Sequence, residues 1–433
     1  MEAGQTARVH KTHSVKYRDS KILLLLLAIC FALQIFSPLR LNNDAIVLLS
    51  MGQSAAHGGG FLNGGQETVF PPGYPALLAV LLRLGLAHPW VIVGLNLVFL
   101  SVGLLAAYYL LIHEFFEDKA IVLMVCSVFL LSYVVVKHFT IPLSDVPFFC
   151  FSMSCLAIMS WTKDTDSNLR LVILVGAAWL LAVAAILVRR VGVALIPPLV
   201  FMIVRSPRFK LVMKRYSLGV KLIIAVTSMF VCIGTAYIVR NSSTLSDFTG
   251  VVAKIRIPTL VLRIFSYRFT ELGELLSNAP LSKMPTKLHV VVPWIGLLLF
   301  LLTLLGLATK RRKICPTEVF FVCYTGILFA WPYRDARFWL PVIPLLIAYS
   351  VLAVRTLRLP KSVVTVYCIG FATLGFVAIA YSTRISFAGS KFPDRYGDGN
   401  LRATYCAAFQ SCRVGGDPNK VDAKVLRLLQ EYK

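Results

Sequence analysis

The feature that most constrains this chain is a succession of apolar runs long enough to cross a lipid bilayer. The first run is KILLLLLAICFALQIFSPL at 21–39. A helix needs about 20 consecutive apolar residues to cross the hydrocarbon core. Of the 433 residues, 58% are hydrophobic and only 15% are charged, and a soluble protein could not bury that much apolar surface. The sequence therefore predicts an all-α polytopic membrane protein.

About eleven spans are predicted from these runs. After the first, they fall near 89–112, 119–137, 141–161, 170–188, 191–205, 217–238, 289–309, 316–332, 338–354 and 362–381. The first run resembles a signal-peptide core, but no small-residue cleavage site follows it, so we predict a retained helix.

The net charge of +24 is concentrated in short basic blocks between the spans. Such blocks fix membrane orientation on the cytoplasmic side, so the charge does not indicate nucleic-acid binding. Their alternation predicts a cytoplasmic segment at 1–20 and a transmembrane domain at 21–381. The outer side then receives the loops 40–88 and 239–288 and an exported tail at 382–433.

Two acidic residues follow predicted spans on the outer side. Asp44 lies in LNNDAIVLLSMGQS (41–54), and Asp145 lies in the proline-bracketed turn HFTIPLSDVPFF (138–149). Asn43 or Asp44 could cap the helix that begins there, and Ser144 and Asp145 could cap the helix after the turn. For Asp44 the cap is the safer interpretation from local sequence alone. Two carboxylates at the same membrane face also suit a shared site.

Arginines occur on the outer face as well, where the orientation rule does not favour them. Arg189 and Arg190 form one pair, in LVRRVGVALIPP, and Arg334 and Arg337 form the other, in WPYRDARFWLPVIP. A single arginine at a helix end is explained by snorkelling. Two pairs indicate an anionic ligand, because a guanidinium binds phosphate oxygens in a bidentate manner.

In this order, the motifs resemble the GT-C glycosyltransferases over roughly residues 20–355. The segments that carry the resemblance are PPGYPALLA, VGLNLVFLSVGLLAAYYL, LSDVPFF, GAAWLLAVAAILVRRVGVALIPPLV and RDARFWLPVIPLLIAYS. The nearest branch contains the protein mannosyltransferases and the aminoarabinose transferases of lipid A. The resemblance implies a GT-C bundle of about eleven helices, with interfacial helices in the first outer loop.

The family's activity is implied in the same way. Its members transfer a sugar from a polyprenyl-phosphate carrier to a lipid, glycan or protein acceptor at the outer face, generally with inversion. Its catalytic acids correspond to Asp44 and Asp145, and its late arginine corresponds to Arg337. The other candidate substrate-binding residues are Glu67, Tyr74, Arg189, Arg190 and Arg334. A carboxylate that accepts the proton and arginines that hold the departing phosphate suit this reaction.

The chain departs from the family pattern in its first outer loop. Ala45 follows Asp44 where the mannosyltransferases carry an Asp-Glu pair. Val69 and Phe70 replace the Glu-Lys pair that assists a metal in the aminoarabinose transferases. No metal ligand is therefore assigned, and a divalent metal stays an open alternative.

A polytopic secondary transporter or flippase is the main alternative function. Transporters place polar groups at the midplane of broken helices, whereas the charged residues here lie at the span ends. A bacterial inner membrane with an outward-facing site is the preferred location. The Asn241-Ser242-Ser243 triplet could also be a glycosylation site. Cys406 and Cys412 are predicted to form a disulfide in the exported tail.

Overall fold

The computed structural model describes residues 19–165, 167–205, 257–310, 314–397, 399–410 and 420–432, and these are helical and connected by short turns. The helices of the first half are α1 Asp19–Phe36, α2 Asn43–Ala56, α3 Gly73–Arg83, α4 Pro89–Glu114, α5 Lys119–Leu130, α6 Tyr133–Phe139, α7 Asp145–Trp161, α8 Asn168–Val188 and α9 Ile196–Arg205. Those of the second half are α10 Ile257–Ser277, α11 Val292–Lys310, α12 Pro316–Ala330, α13 Ile343–Thr356, α14 Lys361–Ser386, α15 Phe392–Tyr396, α16 Gly399–Phe409 and α17 Ala423–Glu431.

The predicted class is confirmed. Seven of the described helical segments are long and apolar enough to cross a membrane, and an eighth span forms if α5 and α6, which meet at a 53° bend, are taken together. The chain is therefore a multi-pass integral membrane protein. The helices α9 and α12 match two further predicted spans but are shorter. The predicted span 217–238 lies outside the described residues, as do the segments 1–18 and 239–256 and Cys412.

Chain direction gives the bundle two distinct ends. At one end, which we call the site face, α4 and α7 begin and α8 and α12 finish. At the other, which we call the opposite face, α4, α7, α9 and α11 finish and α5, α8 and α12 begin. The predicted outer loop 40–88 lies at the site face, and Asp44, Asp145 and Arg337 all belong to this end of the bundle.

Close helix crossings position the residues of the second half. The helices α10 and α11 meet at Gly273 and Gly296, where a Cβ would overlap the carbonyl oxygens of Val292 and Phe269. Only glycine permits the two backbones to approach so closely, and small residues are the usual means of tight packing between membrane helices. The crossing holds one face of α10 against the bundle.

A second, smaller layer covers the site face. It contains α2, α3 and the tail helices, packed around buried Tyr74, Tyr405 and Tyr432. The Tyr405 hydroxyl donates to Leu39 O at 2.7 Å, and the Tyr432 hydroxyl donates to Leu49 O at 3.2 Å. The first outer loop and the tail therefore form one folded layer, as the predicted interfacial helices require.

Candidate active site

Asp44 stands in the first turn of α2, and another residue caps this helix. The Asn42 side chain accepts a hydrogen bond from Ala45 N at 2.8 Å and so serves as the N-cap. The alternative that Asp44 is the cap is therefore wrong, and its carboxylate forms an ion pair with Arg337. The side chain of Asp44 is 32% exposed, so its carboxylate is accessible to a ligand.

Arg337 lies in the 3₁₀ turns Ala336–Val342 that precede α13. Asp335 caps these turns by accepting from Arg337 N at 3.0 Å, and its carboxylate lies 2.9 Å from Arg337 Nε. The guanidinium therefore lies between two carboxylates, Asp44 and Asp335. Its Nη1 is buried and donates no hydrogen bond to any residue that the structure describes.

The pKa of Asp335 reflects this environment. Burial alone would raise it, but Arg337 and the neighbouring His138 outweigh burial and bring the pKa of Asp335 below its ordinary value. Asp335 is therefore a charged group that holds Arg337 in place.

Asp145 and Arg189 form a second acid–arginine pair at the same place. Asp145 begins α7, Arg189 ends α8, and the two side chains form an ion pair. The Asp145 side chain is only 2% exposed, so this carboxylate is shielded from solvent. Asp44, Arg337 and Asp335 lie near enough to Arg189 to act on its charge, although burial is the main cause of its lowered pKa.

Phe338 connects the two arginines. The guanidinium carbon of Arg189 lies 5.5 Å from the centre of this ring, and that of Arg337 lies 5.4 Å from it. The Tyr324 hydroxyl fixes the backbone of Phe338 by donating to its carbonyl oxygen at 2.6 Å. Cation–π contacts of this kind hold two positive groups close together, which their mutual repulsion would otherwise oppose.

Two glutamates of α10, one turn apart, support the loop that carries Arg337. Glu271 accepts hydrogen bonds from Asp335 N at 2.7 Å and from Trp339 Nε1 at 2.8 Å, and it lies 2.8 Å from Arg268. Burial raises the pKa of Glu271 to about 7, although Arg268 acts in the opposite direction. Sequence analysis did not identify Glu271 as a site residue.

Glu274 supports the other side of the same loop. It accepts from Arg334 at 2.7 Å and from the Tyr133 hydroxyl at 2.7 Å. Arg334 is therefore engaged in a structural ion pair, whereas Arg337 faces Asp44. The i, i+3 spacing of Glu271 and Glu274 could have indicated this pair, because residues so spaced share one face of a helix.

His138 is a further residue that sequence analysis missed. It is buried, its Nδ1 lies 2.8 Å from Val134 O, and it is one of the charge neighbours of Asp335. The Val134 carbonyl accepts a hydrogen bond from Nδ1–H, so Nε2 is the nitrogen that carries the lone pair. Its place as the first residue of the proline-bracketed turn 138–149 could have indicated it.

Two of the predicted substrate-binding residues, Glu67 and Tyr74, lie apart from this cluster. Glu67 is exposed in the loop between α2 and α3. Tyr74 is buried in the smaller layer, among Leu78 and its neighbours. Arg190 is half-buried beside Arg189, and burial lowers its pKa. Among the described residues, only Glu114, Cys315 and Glu318 bring three potential metal ligands within 4.8 Å of one another, and they lie at the opposite face.

No family model and no curated protein matches this chain. Its backbone is similar to that of the Archaeoglobus fulgidus oligosaccharyltransferase tethered to an acceptor peptide with the NVT sequon. The TM-score is 0.50 at 14% identity, and the match covers 92% of this chain and 57% of that one. The chain has a GT-C fold.

Two other solved structures are similar at lower scores. ArnT from Cupriavidus metallidurans bound to undecaprenyl phosphate gives a TM-score of 0.48 at 14% identity, over 90% of this chain and 69% of that one. The archaeal oligosaccharyltransferase AglB in complex with an inhibitory peptide and a dolichol-phosphate gives 0.46 at 14% identity, over 92% and 58%. At this identity the GT-C likeness establishes the fold alone, and the chain spans little more than half of the oligosaccharyltransferase.

Proposed function

We propose that the chain is a membrane glycosyltransferase that takes a sugar from a polyprenyl-phosphate carrier and transfers it to a lipid, glycan or protein acceptor at the site face. The observation that carries the proposal is the convergence of two acid–arginine pairs on Phe338 at one end of a GT-C bundle. Two guanidiniums held side by side suit a phosphate monoanion or dianion, which a single surface arginine does not.

The reaction follows from this arrangement. An acceptor hydroxyl or amine attacks the anomeric carbon from the face opposite the carrier. The bond between that carbon and the phosphate oxygen breaks, and its electron pair stays on the phosphate. The acceptor proton passes to a carboxylate, and the arginines stabilise the charge that develops on the departing phosphate.

The two candidate catalytic acids differ in what they can do. Asp44 is one-third exposed and so can reach an acceptor, and we assign it as the general base. Asp145 is shielded and paired with Arg189, so its role is to hold that guanidinium in place.

A transport function receives no comparable support. In the described spans, Asp, Glu, Lys and Arg lie near the helix ends, and none lies in the middle third of α4, α7, α8, α11 or α14. Ionisable groups at that depth are the usual mark of a substrate or ion pathway through a bundle.

The test is an incubation of purified protein with a panel of polyprenyl-phosphate hexoses and pentoses, with a membrane extract as the acceptor source. We expect release of polyprenyl phosphate with at least one donor and its loss in the Asp44→Asn variant. If folded, unaltered protein released no polyprenyl phosphate from any of the donors, the proposal would be contradicted. Uptake of an isotope-labelled donor into proteoliposomes without its cleavage would favour the transporter instead.

A further inference from the structure

A second polar site lies at the opposite face. A cavity of about 1080 Å³ opens between the ends of α4, α9 and α11 and the start of α12. The 26 residues of α4 separate it from the site face by about 39 Å of helix rise, so the proposed reaction does not use it. Its wall includes Phe115, Phe116, Phe201 and Met202, and its polar lining includes Glu114 and Arg205.

Glu114 is the unusual member of this lining. Its Oε1 accepts from Lys163 Nζ at 2.7 Å, and its side chain is 2% exposed. Its Oε2 is buried and accepts no hydrogen bond from any described residue. A buried carboxylate oxygen without a donor is unfavourable, so a ligand that donates a hydrogen bond there would be bound.

The neighbouring charges decide against a metal ion as that ligand. Glu114 is paired with Lys163, and Glu318 is paired with Lys310 at 2.7 Å. Glu318 also accepts from Cys315 N at 2.7 Å. Two ammonium groups therefore already neutralise the two carboxylates, and a divalent cation would have to displace them. A neutral donor such as a hydroxyl can approach Glu114 Oε2 without that conflict.

The rim of the cavity attracts an anion. Arg205 donates to Ile314 O at 2.8 Å and stacks on Phe201 at 5.4 Å, and it forms no ion pair with a carboxylate in the described part of the chain. Lys163 and Lys310 belong to the same lining. Clustered basic residues beside a span are typical of contact with anionic lipid headgroups.

We propose that this cavity binds the headgroup of a phosphatidylglycerol-type lipid. The phosphodiester lies at Arg205, a glycerol hydroxyl donates to Glu114 Oε2, and the acyl chains follow the wall formed by Phe201 and Met202 into the bilayer. The phosphate accounts for the basic rim and the hydroxyl accounts for the unpaired carboxylate oxygen. The acyl chains account for the apolar wall.

Native mass spectrometry of the purified protein with matched lipids tests this site. Phosphatidylglycerol and phosphatidylethanol carry the same single negative charge, but only the first has headgroup hydroxyls. We expect the protein to retain phosphatidylglycerol about tenfold better, as expected for one hydrogen bond to a charged acceptor. Equal retention of the two lipids would overturn the proposal.

Three variants separate the parts of the site. Glu114→Met should remove the preference for phosphatidylglycerol, since the acceptor is lost. Arg205→Gln changes an exposed position that has no ion pair to break, and it should lower the retention of both anionic lipids equally. Lys361→Gln is the matched control, because Lys361 is exposed at the same face outside the cavity. If Lys361→Gln lost as much lipid retention as Arg205→Gln, general surface charge would explain the effect of Arg205, and the proposed site would be wrong.

Discussion

Both ends of the bundle carry pairs of acidic and basic side chains, but the basic partner differs between the two ends. At the site face, two aspartates pair with arginines, Asp44 with Arg337 and Asp145 with Arg189. At the opposite face, two glutamates pair with lysines, Glu114 with Lys163 and Glu318 with Lys310. Each end thus carries two acid–base pairs at or near helix termini, and in each pair at least one side chain is buried.

The two ends differ in which member of a pair has an unused hydrogen-bonding group. At the site face the surplus is a donor, Arg337 Nη1, which no described residue uses. At the opposite face the surplus is an acceptor, Glu114 Oε2. A guanidinium has five N–H donors in a planar fork, whereas an ammonium is a compact point charge. In the arginine pair the unused group is therefore an N–H donor, which suits a phosphate oxygen, whereas in the lysine pair it is a carboxylate oxygen, which needs a donor.

The largest expected effect follows from removal of the proposed base. Asp44→Asn keeps the shape of the side chain, and because Asn42 caps the helix the cap is not lost. We expect turnover to fall about 100-fold or more in a folded protein, the range typical of general-base loss. Glu67→Gln, which removes an exposed acid from the same loop, should leave turnover unchanged. A well-folded Asp44→Asn protein with full turnover would show that the site-face pair has no catalytic part.

Replacement of Arg337 by lysine tests whether the planar guanidinium is needed at the site face. Arg337→Lys should raise the KM for the donor about tenfold, because bidentate phosphate binding is lost while the charge is kept. Arg334→Lys is the matched control, since Arg334 is held by Glu274. The reverse exchange at the other end, Lys163→Arg, should leave the donor KM unchanged. Equal KM values for Arg337→Lys and the unaltered protein would mean that Arg337 does not hold the phosphate.

A smaller effect is expected from the second pair. Asp145→Asn should lower kcat several-fold, because Arg189 loses the partner that orients it, while Asp44 stays intact. Glu318→Gln breaks a pair of the same kind at the opposite face and should leave kcat unchanged. If Asp145→Asn were instead as inactive as Asp44→Asn, the assignment of the base to Asp44 alone would be wrong.

The smallest effect concerns pH. Burial raises the pKa of Glu271 from its ordinary 4.5 to about 7, so the folded state binds the proton more tightly than the unfolded state. Stability is therefore expected to fall as pH rises from about 4.5 to about 7, and to stay lower above that. Thermal melting across this range should show a decline of a few degrees in the unaltered protein and a flatter profile in Glu271→Gln. Identical profiles would indicate an ordinary pKa for Glu271.

The layout of the bundle followed from the sequence because it depends on local properties. Span length, hydropathy and the alternation of basic blocks each concern one segment at a time. Single segments also predict that Asp44, Asp145, Arg189 and Arg337 lie at one end of the bundle. Their pairing could not be derived this way, because Asp44 and Arg337 are 293 positions apart. The orientation of the bundle in the membrane stays a prediction.

Two parts of the site escaped sequence analysis for physical reasons. The helix α10 carries Arg268, Glu271 and Glu274 and so reads as polar, and it was predicted as part of an outer loop. Its acids are buried because Gly273 and Gly296 bring α10 against the bundle, a tertiary contact with no local pattern. Likewise, Asn43 or Asp44 was predicted as the alternative cap of α2, whereas the fold gives the cap to Asn42 and pairs Asp44 with Arg337.

The contact between Tyr432 and Leu49 has a consequence for biosynthesis. It joins residues 383 positions apart, so Tyr432 is synthesised long after Leu49. The helix that carries Asp44 enters the membrane surface early, but its supporting layer is complete only when the tail helices have left the ribosome. A nascent or prematurely terminated chain would therefore hold its spans without a finished site. Long-range contacts of this kind form late, so the chain acquires its active geometry as one of the last steps of folding.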